Sequence, residues 1–148
     1  MKPKLSGPSL KKQDAHSSIH EASLHEAMEL RALFRQCLLD NQKEQALQVA
    51  EITIEHWELR TLKHAESEEE GLYQDAVKEH PDLEPLVIQL TRDHDLMRRI
   101  VQQMKEQLLT REVNERMTQF MDGLILIDEL HNDDEMNKLL PIYNEDKK

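Results

Sequence analysis

The chain has 148 residues, a formal net charge of −11, and only 3 Gly and 5 Pro. This length predicts one domain with its own core, and the scarcity of Gly and Pro favours helices over a β-rich fold. The acidic balance argues against nucleic acid as a partner, because phosphates are bound by clustered Lys and Arg. The single cysteine, Cys37, excludes an intramolecular disulfide and fits a reducing compartment.

The helical pattern divides the chain at three breaks. We predict a polar, flexible arm over residues 1–14, which contain two Pro and one Gly. The predicted helical segments then cover residues 15–40, 43–78, 83–110 and 113–138. Short connections between long helices imply antiparallel neighbours, so the predicted fold is all-α, an up-down-up-down antiparallel four-helix bundle. The bundle would span residues 15–141, with Pro141 closing its last helix and residues 142–148 forming a tail.

Neither a membrane segment nor a secretory signal is indicated by the sequence. No stretch approaches the ~20 apolar residues of a membrane helix. The predicted arm lacks the apolar core of a signal peptide. We therefore expect a cytoplasmic protein with no membrane partner.

One pattern occurs twice, a histidine followed four residues later by a glutamate, in His64–Glu68 and His131–Glu135. Positions i and i+4 lie on one face of a helix, so each pair directs an imidazole and a carboxylate to the same point. The apolar positions that bracket His131 in the fourth predicted helix include Leu130. Both pairs are therefore predicted to face the interior.

Distances from the turns place four histidines at one level of the predicted bundle. His94 lies on the apolar face of the third helix, 18 residues before a turn centred near Glu112, and His131 lies 19 residues after that turn. His20 lies about 21 residues before the first turn, at residues 40–41, and His64 about 23 residues after it. In antiparallel helices, residues equidistant from a connecting turn share a height.

The first helix offers more than one histidine. His16 precedes His20 by four residues and shares its apolar face, so the sequence leaves open whether His16 replaces or joins His20. His25 points away from this face, and His56 lies to one side of the apolar face of the second helix.

The inward-facing set predicts a metal site, and its two imidazole–carboxylate pairs favour a site for two ions. Its members are His20, His64, Glu68, His94, His131 and Glu135. Buried carboxylates cost several kcal/mol unless they are paired or bound to metal. Imidazole and carboxylate ligands suit iron, manganese or zinc, whereas copper(I) prefers thiolates. Four neighbouring acids are interpreted as solvated, and these are Glu69, Glu70, Asp133 and Asp134. Tyr73 either forms a hydrogen bond near the site or caps the core.

Three motifs in order resemble the hemerythrin-like family, also called the HHE cation-binding domain, over about residues 16–141. They are His64-x3-Glu68-Glu69-Glu70 with Leu72-Tyr73, Asp93-His94-Asp95 with Met97-Arg98, and His131-x3-Glu135 with Leu139-Leu140-Pro141. The resemblance implies a non-haem di-iron centre within a four-helix bundle, with Glu68 and Glu135 bridging two Fe ions. The terminal ligands it implies are His64, His94, His131 and a histidine of the first helix, with a small diatomic gas or peroxide as the partner.

Two positions depart from the oxygen-carrying members of that family. Those members have a second histidine in helix 3, where this chain has Arg98, and an aspartate five residues after the last histidine, where it has Met136. At both positions the chain resembles variant members of the family that sense iron or oxygen or that handle peroxide.

The leading hypothesis is a di-iron protein that binds O₂, peroxide or NO, or iron itself, for sensing, buffering or detoxification. The alternatives are a di-iron peroxidase or ferroxidase, a metal-free interaction module, and a bundle that uses the same pocket for haem or another metal. The sequence identifies no protein partner.

Overall fold

The structure, a computed structural model, describes residues 13–145, and this part of the chain is helical apart from short turns, with no strand. Its helices are α1 (Gln13–Leu39), α2 (Lys43–His56), α3 (Leu62–Glu70), α4 (Leu72–Glu79), α5 (Glu84–Leu109), α6 (Glu115–Asp134) and α7 (Leu140–Tyr143). A π turn (Trp57–Thr61) joins α2 to α3, a second π turn (Glu135–Leu139) joins α6 to α7, and a 3-10 turn (Pro81–Leu83) precedes α5. Within the described range, no helix has both the length and the apolar character needed to cross a membrane.

These elements form four long helical segments that pack as a helical bundle. Segment 1 is α1, segment 2 runs from α2 to α4, segment 3 is α5, and segment 4 runs from α6 to α7. Segment 1 packs against α2 and α6, and α5 packs against α6. The segment bounds predicted from the sequence agree with these to within five residues. The predicted arm lies almost entirely outside the described residues, as do residues 146–148 of the predicted tail.

The ends of the segments follow local backbone chemistry. Asn114 caps α6, because its side-chain oxygen accepts a hydrogen bond from the backbone N–H of Arg116 at 3.0 Å. Pro85 lies in the first turn of α5, where its missing N–H leaves no helical bond unmade. Asn41 and Arg111 have φ values of 55° and 56°, so the chain turns after segments 1 and 3 through the left-handed region.

Two local expectations about segment 4 are wrong. Pro141 does not close the segment, because it lies in the first turn of α7, where a proline is tolerated, and the helix continues to Tyr143. Leu130 is not part of the apolar face, since its side chain is 69% exposed. It directly precedes the inward-facing His131, and one residue along a helix rotates a side chain by about 100°.

His56 lies to one side of the apolar face of α2 in the sequence pattern, and that flank is also covered in the structure. Its side chain is buried, because segment 1 covers that flank of α2, and its Nε2 donates a hydrogen bond to the carbonyl oxygen of Ser23 at 2.9 Å. His25, by contrast, is exposed as predicted.

Two apolar clusters lie at different levels of the bundle. The larger contains Phe34, Trp57, Met97, Met104 and Leu124, and the smaller contains Leu72, Tyr73, Leu90, Leu139 and Tyr143. On segments 2, 3 and 4 the predicted site residues fall between members of the two clusters along the chain. The candidate site is therefore enclosed by apolar side chains at both ends, as a ligand site inside a bundle requires.

Candidate metal centre

Six buried side chains form two overlapping groups of possible metal ligands. His16 and His20 form one group with Glu68 and Glu135, and His94 and His131 form the other with the same two glutamates. Within each group the ligand atoms all lie within 4.8 Å of one another. All six side chains are less than one-tenth exposed. The two carboxylates are therefore shared between two imidazole pairs.

The pair from α1 contacts one oxygen of each carboxylate. His16 Nε2 lies 3.0 Å from Glu68 Oε2 and 2.7 Å from Glu135 Oε1. His20 Nε2 lies 3.7 Å and 3.5 Å from the same two oxygens. The two imidazole nitrogens are 2.7 Å apart. Both rings thus direct their Nε2 atoms into one small volume between Glu68 and Glu135.

The pair from segments 3 and 4 contacts the other oxygen of each carboxylate. His94 Nε2 lies 3.3 Å from Glu68 Oε1, and His131 Nε2 lies 3.1 Å from Glu135 Oε2. The two Nε2 atoms are 3.0 Å apart. Each glutamate therefore presents one oxygen to each imidazole pair, which is how a carboxylate that bridges two cations must be placed.

Outer carboxylates fix the orientation of the second pair. Glu69 Oε2 lies 2.7 Å from His94 Nδ1, and Asp93 Oδ2 lies 3.0 Å from His131 Nδ1. An acceptor at Nδ1 places the ring proton there and leaves Nε2 free to bind a metal ion. Arg98 Nη2 holds Glu69 Oε2 at 2.9 Å. Arg98 therefore supports the orientation of His94, at the position where the oxygen-carrying proteins have a further histidine.

Tyr73 closes the side of the centre that faces the smaller apolar cluster. Its hydroxyl donates a short hydrogen bond to Glu135 Oε2 and lies 3.2 Å from His131 Nε2. Its ring stacks on His94 with centroids 5.6 Å apart and an interplanar angle of 5°. Burial, with the charges of Glu135 and Glu68, raises the pKa of Tyr73 well above its ordinary value, so the hydroxyl keeps its proton.

The glutamates stay ionised and the imidazoles of α1 hold protons. Burial and the charge of Glu135 would raise the pKa of Glu68, but hydrogen bonds from the imidazoles lower it to about 2. Burial alone would lower the pKa values of His16 and His20, but their bonds to the two carboxylates raise them to about 10 and about 9. The charge of His131 likewise holds the pKa of Glu135 well below its ordinary value despite burial. In the metal-free centre, protons therefore supply the positive charge that balances the carboxylates.

The helices that carry the two shared glutamates are irregular close to the centre, with a π turn in segment 4 and a break in segment 2. Glu135 begins the second π turn, directly after α6. On segment 2, Gly71 interrupts the helix between Glu69 and Tyr73, and a Cβ at this position would lie 3.2 Å from the Ser67 carbonyl oxygen. π turns are frequent at functional sites, because the extra residue changes which face the following side chains occupy.

The structure brings together five of the six predicted site residues, which are His20, Glu68, His94, His131 and Glu135. His64, the sixth, is half-buried and belongs to neither group of ligand atoms. Burial, followed by the charge of His20, lowers the pKa of His64, while the charge of Glu68 opposes that shift. His64 therefore lies within electrostatic reach of the centre. On α1, where the sequence leaves open which histidine faces the site, His16 and His20 lie in the same group of possible ligand atoms.

Sequence reasoning missed the roles of three outer residues. Glu69 was interpreted as solvated, Asp93 was not considered as a partner, and Tyr73 was left undecided. Glu69 directly follows Glu68, and Asp93 directly precedes His94, so adjacency to a predicted ligand was the available signal. Glu70 and Asp133 are exposed, as predicted.

The donor set fits hard or borderline divalent cations. Two imidazoles and two shared carboxylates at each position are ligands that iron, manganese and zinc accept, and no thiolate takes part. The Nε2 atoms of His16 and His20 lie 2.7 Å apart, close enough for both to bind the same ion. The residues present therefore fit a pair of cations.

Comparison with known proteins identifies one relationship. The family model described as the hemerythrin HHE cation binding domain matches residues 19–143. No curated protein and no solved structure matches the chain.

Proposed function

Because the chain belongs to the hemerythrin HHE cation-binding domain family, we propose that it holds two iron ions in a non-haem, carboxylate-bridged centre. O₂, peroxide or NO would be its small-molecule partner, and sensing, buffering or detoxification its task. When bound, the ions supply redox-active positions at which such a molecule can coordinate. The proposal includes the up-down-up-down order of the helices, which the short turns after segments 1 and 3 support. It also includes a reducing compartment such as the cytoplasm, which the buried free thiol of Cys37 supports.

The observation that carries this proposal is the division of each carboxylate between two imidazole pairs. Glu68 presents Oε2 to His16 and Oε1 to His94, and Glu135 presents Oε1 to His16 and Oε2 to His131. A site for a single ion needs no such division. His16 and His20 would hold one ion and His94 and His131 the other.

His64 stays a predicted additional ligand of the ion held by α1. Its position four residues before Glu68 places both side chains on one face of α3. Its lowered pKa keeps the imidazole neutral, which is the form that binds a metal ion. The remaining residues of the centre orient the ligands and exclude water.

Metal analysis of the purified protein tests the proposal directly. Metal-free protein incubated anaerobically with Fe(II) and then desalted should retain about two irons per chain, with a near-ultraviolet absorption band after oxidation. Glu68→Gln and Glu135→Gln should each reduce the iron content below one per chain. A neutral amide has neither the negative charge nor the second oxygen with which a carboxylate bridges two cations.

The matched control is Glu66→Gln, which changes an exposed glutamate on the same helix as Glu68. It should leave the iron content at two. At most a trace of iron in the wild-type protein would refute the proposal, and a higher content of zinc or haem in protein from its own source would favour another cofactor.

A second candidate function is enzymatic, with the same centre turning over peroxide or oxidising Fe(II). The observation that favours it is the Tyr73 hydroxyl, a buried proton donor bonded to Glu135 and adjacent to His131. A buried proton donor positioned beside the reacting group is what general acid catalysis requires.

A further inference from the structure

A buried carboxylate of segment 4 takes part in neither imidazole–carboxylate group. Asp128 in α6 is 1% exposed, and neither of its carboxylate oxygens has a hydrogen-bond partner among residues 13–145. An ionised carboxylate in such surroundings is strongly disfavoured unless positive charge lies nearby. Asp128 therefore calls for an explanation that packing does not provide, since a leucine or an asparagine would fill a similar place in a helical bundle.

The position of Asp128 places it beside the candidate metal centre. It precedes His131 by three residues, which is about one helical turn, or ~4.5 Å along the axis. Burial raises the pKa of Asp128 to about 6, while the charges of His20 and His131 act in the opposite direction. Asp128 is thus within electrostatic reach of one imidazole from each pair.

The charge count of the centre shows what Asp128 can supply. Two divalent ions would carry four positive charges, against which Glu68 and Glu135 place two negative charges. Of the outer carboxylates, Glu69 is already paired with Arg98 at 2.9 Å, and Asp93 is partly exposed to water. Excess positive charge would therefore persist in the buried interior, where it is costly.

We propose that Asp128 is a third carboxylate of the metal centre, a positioning residue that acts through His20 and His131 to offset this excess charge and strengthen metal binding. The proposal rests on the proposed function, because the excess charge exists only when two cations are bound. In the metal-free protein the same carboxylate has less to balance and costs stability. Asp128 therefore has opposite effects on the metal-free and the metal-loaded protein.

An inert core residue would behave differently, and α6 offers a matched example. Thr118 is also 1% exposed, and its hydroxyl has no hydrogen-bond partner in the described part of the chain. It lies ten residues before Asp128, about 15 Å along the helix axis and away from the centre. Changing Thr118 should alter stability without altering metal binding.

The test compares Asp128→Asn and Thr118→Val with the wild-type protein. Affinities for Fe(II) under anaerobic conditions and for Zn(II), which is redox-silent, are measured by competition with a chromophoric chelator at pH 7.5. Asp128→Asn should weaken the binding of at least one ion tenfold or more, as expected for a residue that supports metal ligands. Thr118→Val should bind both ions within twofold of the wild type.

Thermal unfolding of the metal-free proteins supplies the second readout. Asp128→Asn should melt at a higher temperature than the wild type at pH 8, with a gain that shrinks as the pH falls below 6. Asp128→Ser, which is smaller and equally uncharged, should reproduce the loss of affinity. Unchanged affinity in both Asp128 variants, beside a wild type that binds two ions, would overturn this proposal and leave the proposed function standing. A wild type that binds no metal would instead refute the proposed function.

Discussion

Tyr73 shows how a single residue divides the two functions proposed for the centre. Its phenol is 1% exposed, it bonds to Glu135, and its ring covers one face of His94. The raised pKa keeps the hydroxyl protonated at physiological pH, so it can donate its proton to the hydrogen bond with Glu135. In a binding protein this donor would fix Glu135 in its bridging position, and in an enzyme it would also deliver a proton to a reacting peroxide.

We predict that Tyr73→Phe separates these roles. Removal of the hydroxyl leaves one Glu135 oxygen without its donor, which should lower the stability of the metal-free protein by about 1–3 kcal/mol. If the centre turns over peroxide, the steady rate measured with the iron-loaded protein should fall at least about 100-fold, as expected for the loss of a general acid. Tyr143→Phe, which changes the other buried tyrosine of the same apolar cluster, is the control. An unchanged rate in the Tyr73 variant, with two irons retained, would contradict an acid role for Tyr73.

Residues of the centre were predictable where their signal lay within one helix. The spacings of His16 with His20 and of His131 with Glu135 are local, so helical geometry alone predicts a shared face. The partners of these residues lie on other helices. The bond from Glu69 in α3 to His94 in α5 depends on how two segments rotate relative to each other, which no spacing within the chain records.

At the level of elements, the two π turns could not be predicted from the sequence. The helical periodicity continues through Trp57–Thr61 and through Glu135–Leu139, so both segments were predicted as uninterrupted helices. A π turn adds a residue to one turn without a Gly or a Pro to mark it. The end of segment 4 was predicted wrongly for the same reason, since Pro141 follows a π turn and lies in the first turn of α7 instead of ending a helix.

Elements far from the centre should contribute stability without affecting the metal. Asn114 caps α6 at the end of the segment opposite Glu135, and its side chain accepts the Arg116 backbone N–H. We predict that Asn114→Ala lowers the free energy of unfolding by about 1 kcal/mol, because one backbone donor of the first turn loses its acceptor. Denaturant unfolding of the metal-free protein measures this loss, and iron content should stay at two per chain. A loss of iron in this variant would show that the first turn of α6 is coupled to the centre.

For the whole molecule, metal binding and folding share the same buried charges. Glu68 and Glu135 lie between the two apolar clusters, where their charges must be balanced in every state. Protons on the imidazoles balance them in the metal-free protein, and cations would replace those protons on loading. The raised histidine pKa values stabilise the metal-free fold fully below pH 6.5, and this contribution is lost as the pH rises towards 9–10.

The exchange of protons for cations predicts that metal affinity increases with pH. The Nε2 atoms of His16 and His20 are 2.7 Å apart and the pKa of His16 is raised to about 10, so this pair holds at least one proton at neutral pH. His131 holds another, because the charge of Glu135 raises its pKa well above the ordinary value despite burial. Each bound ion must then displace at least one proton, so the affinity for Zn(II) should rise about tenfold per pH unit between pH 6 and 8. Chelator competition measures the slope, and calorimetry in buffers of different ionisation enthalpy counts the protons released. His25→Gln, which changes an exposed histidine outside the centre, should leave the slope unchanged. A pH-independent affinity would mean that the imidazole pairs are already neutral, and the balance of charge described for the metal-free centre would then be wrong.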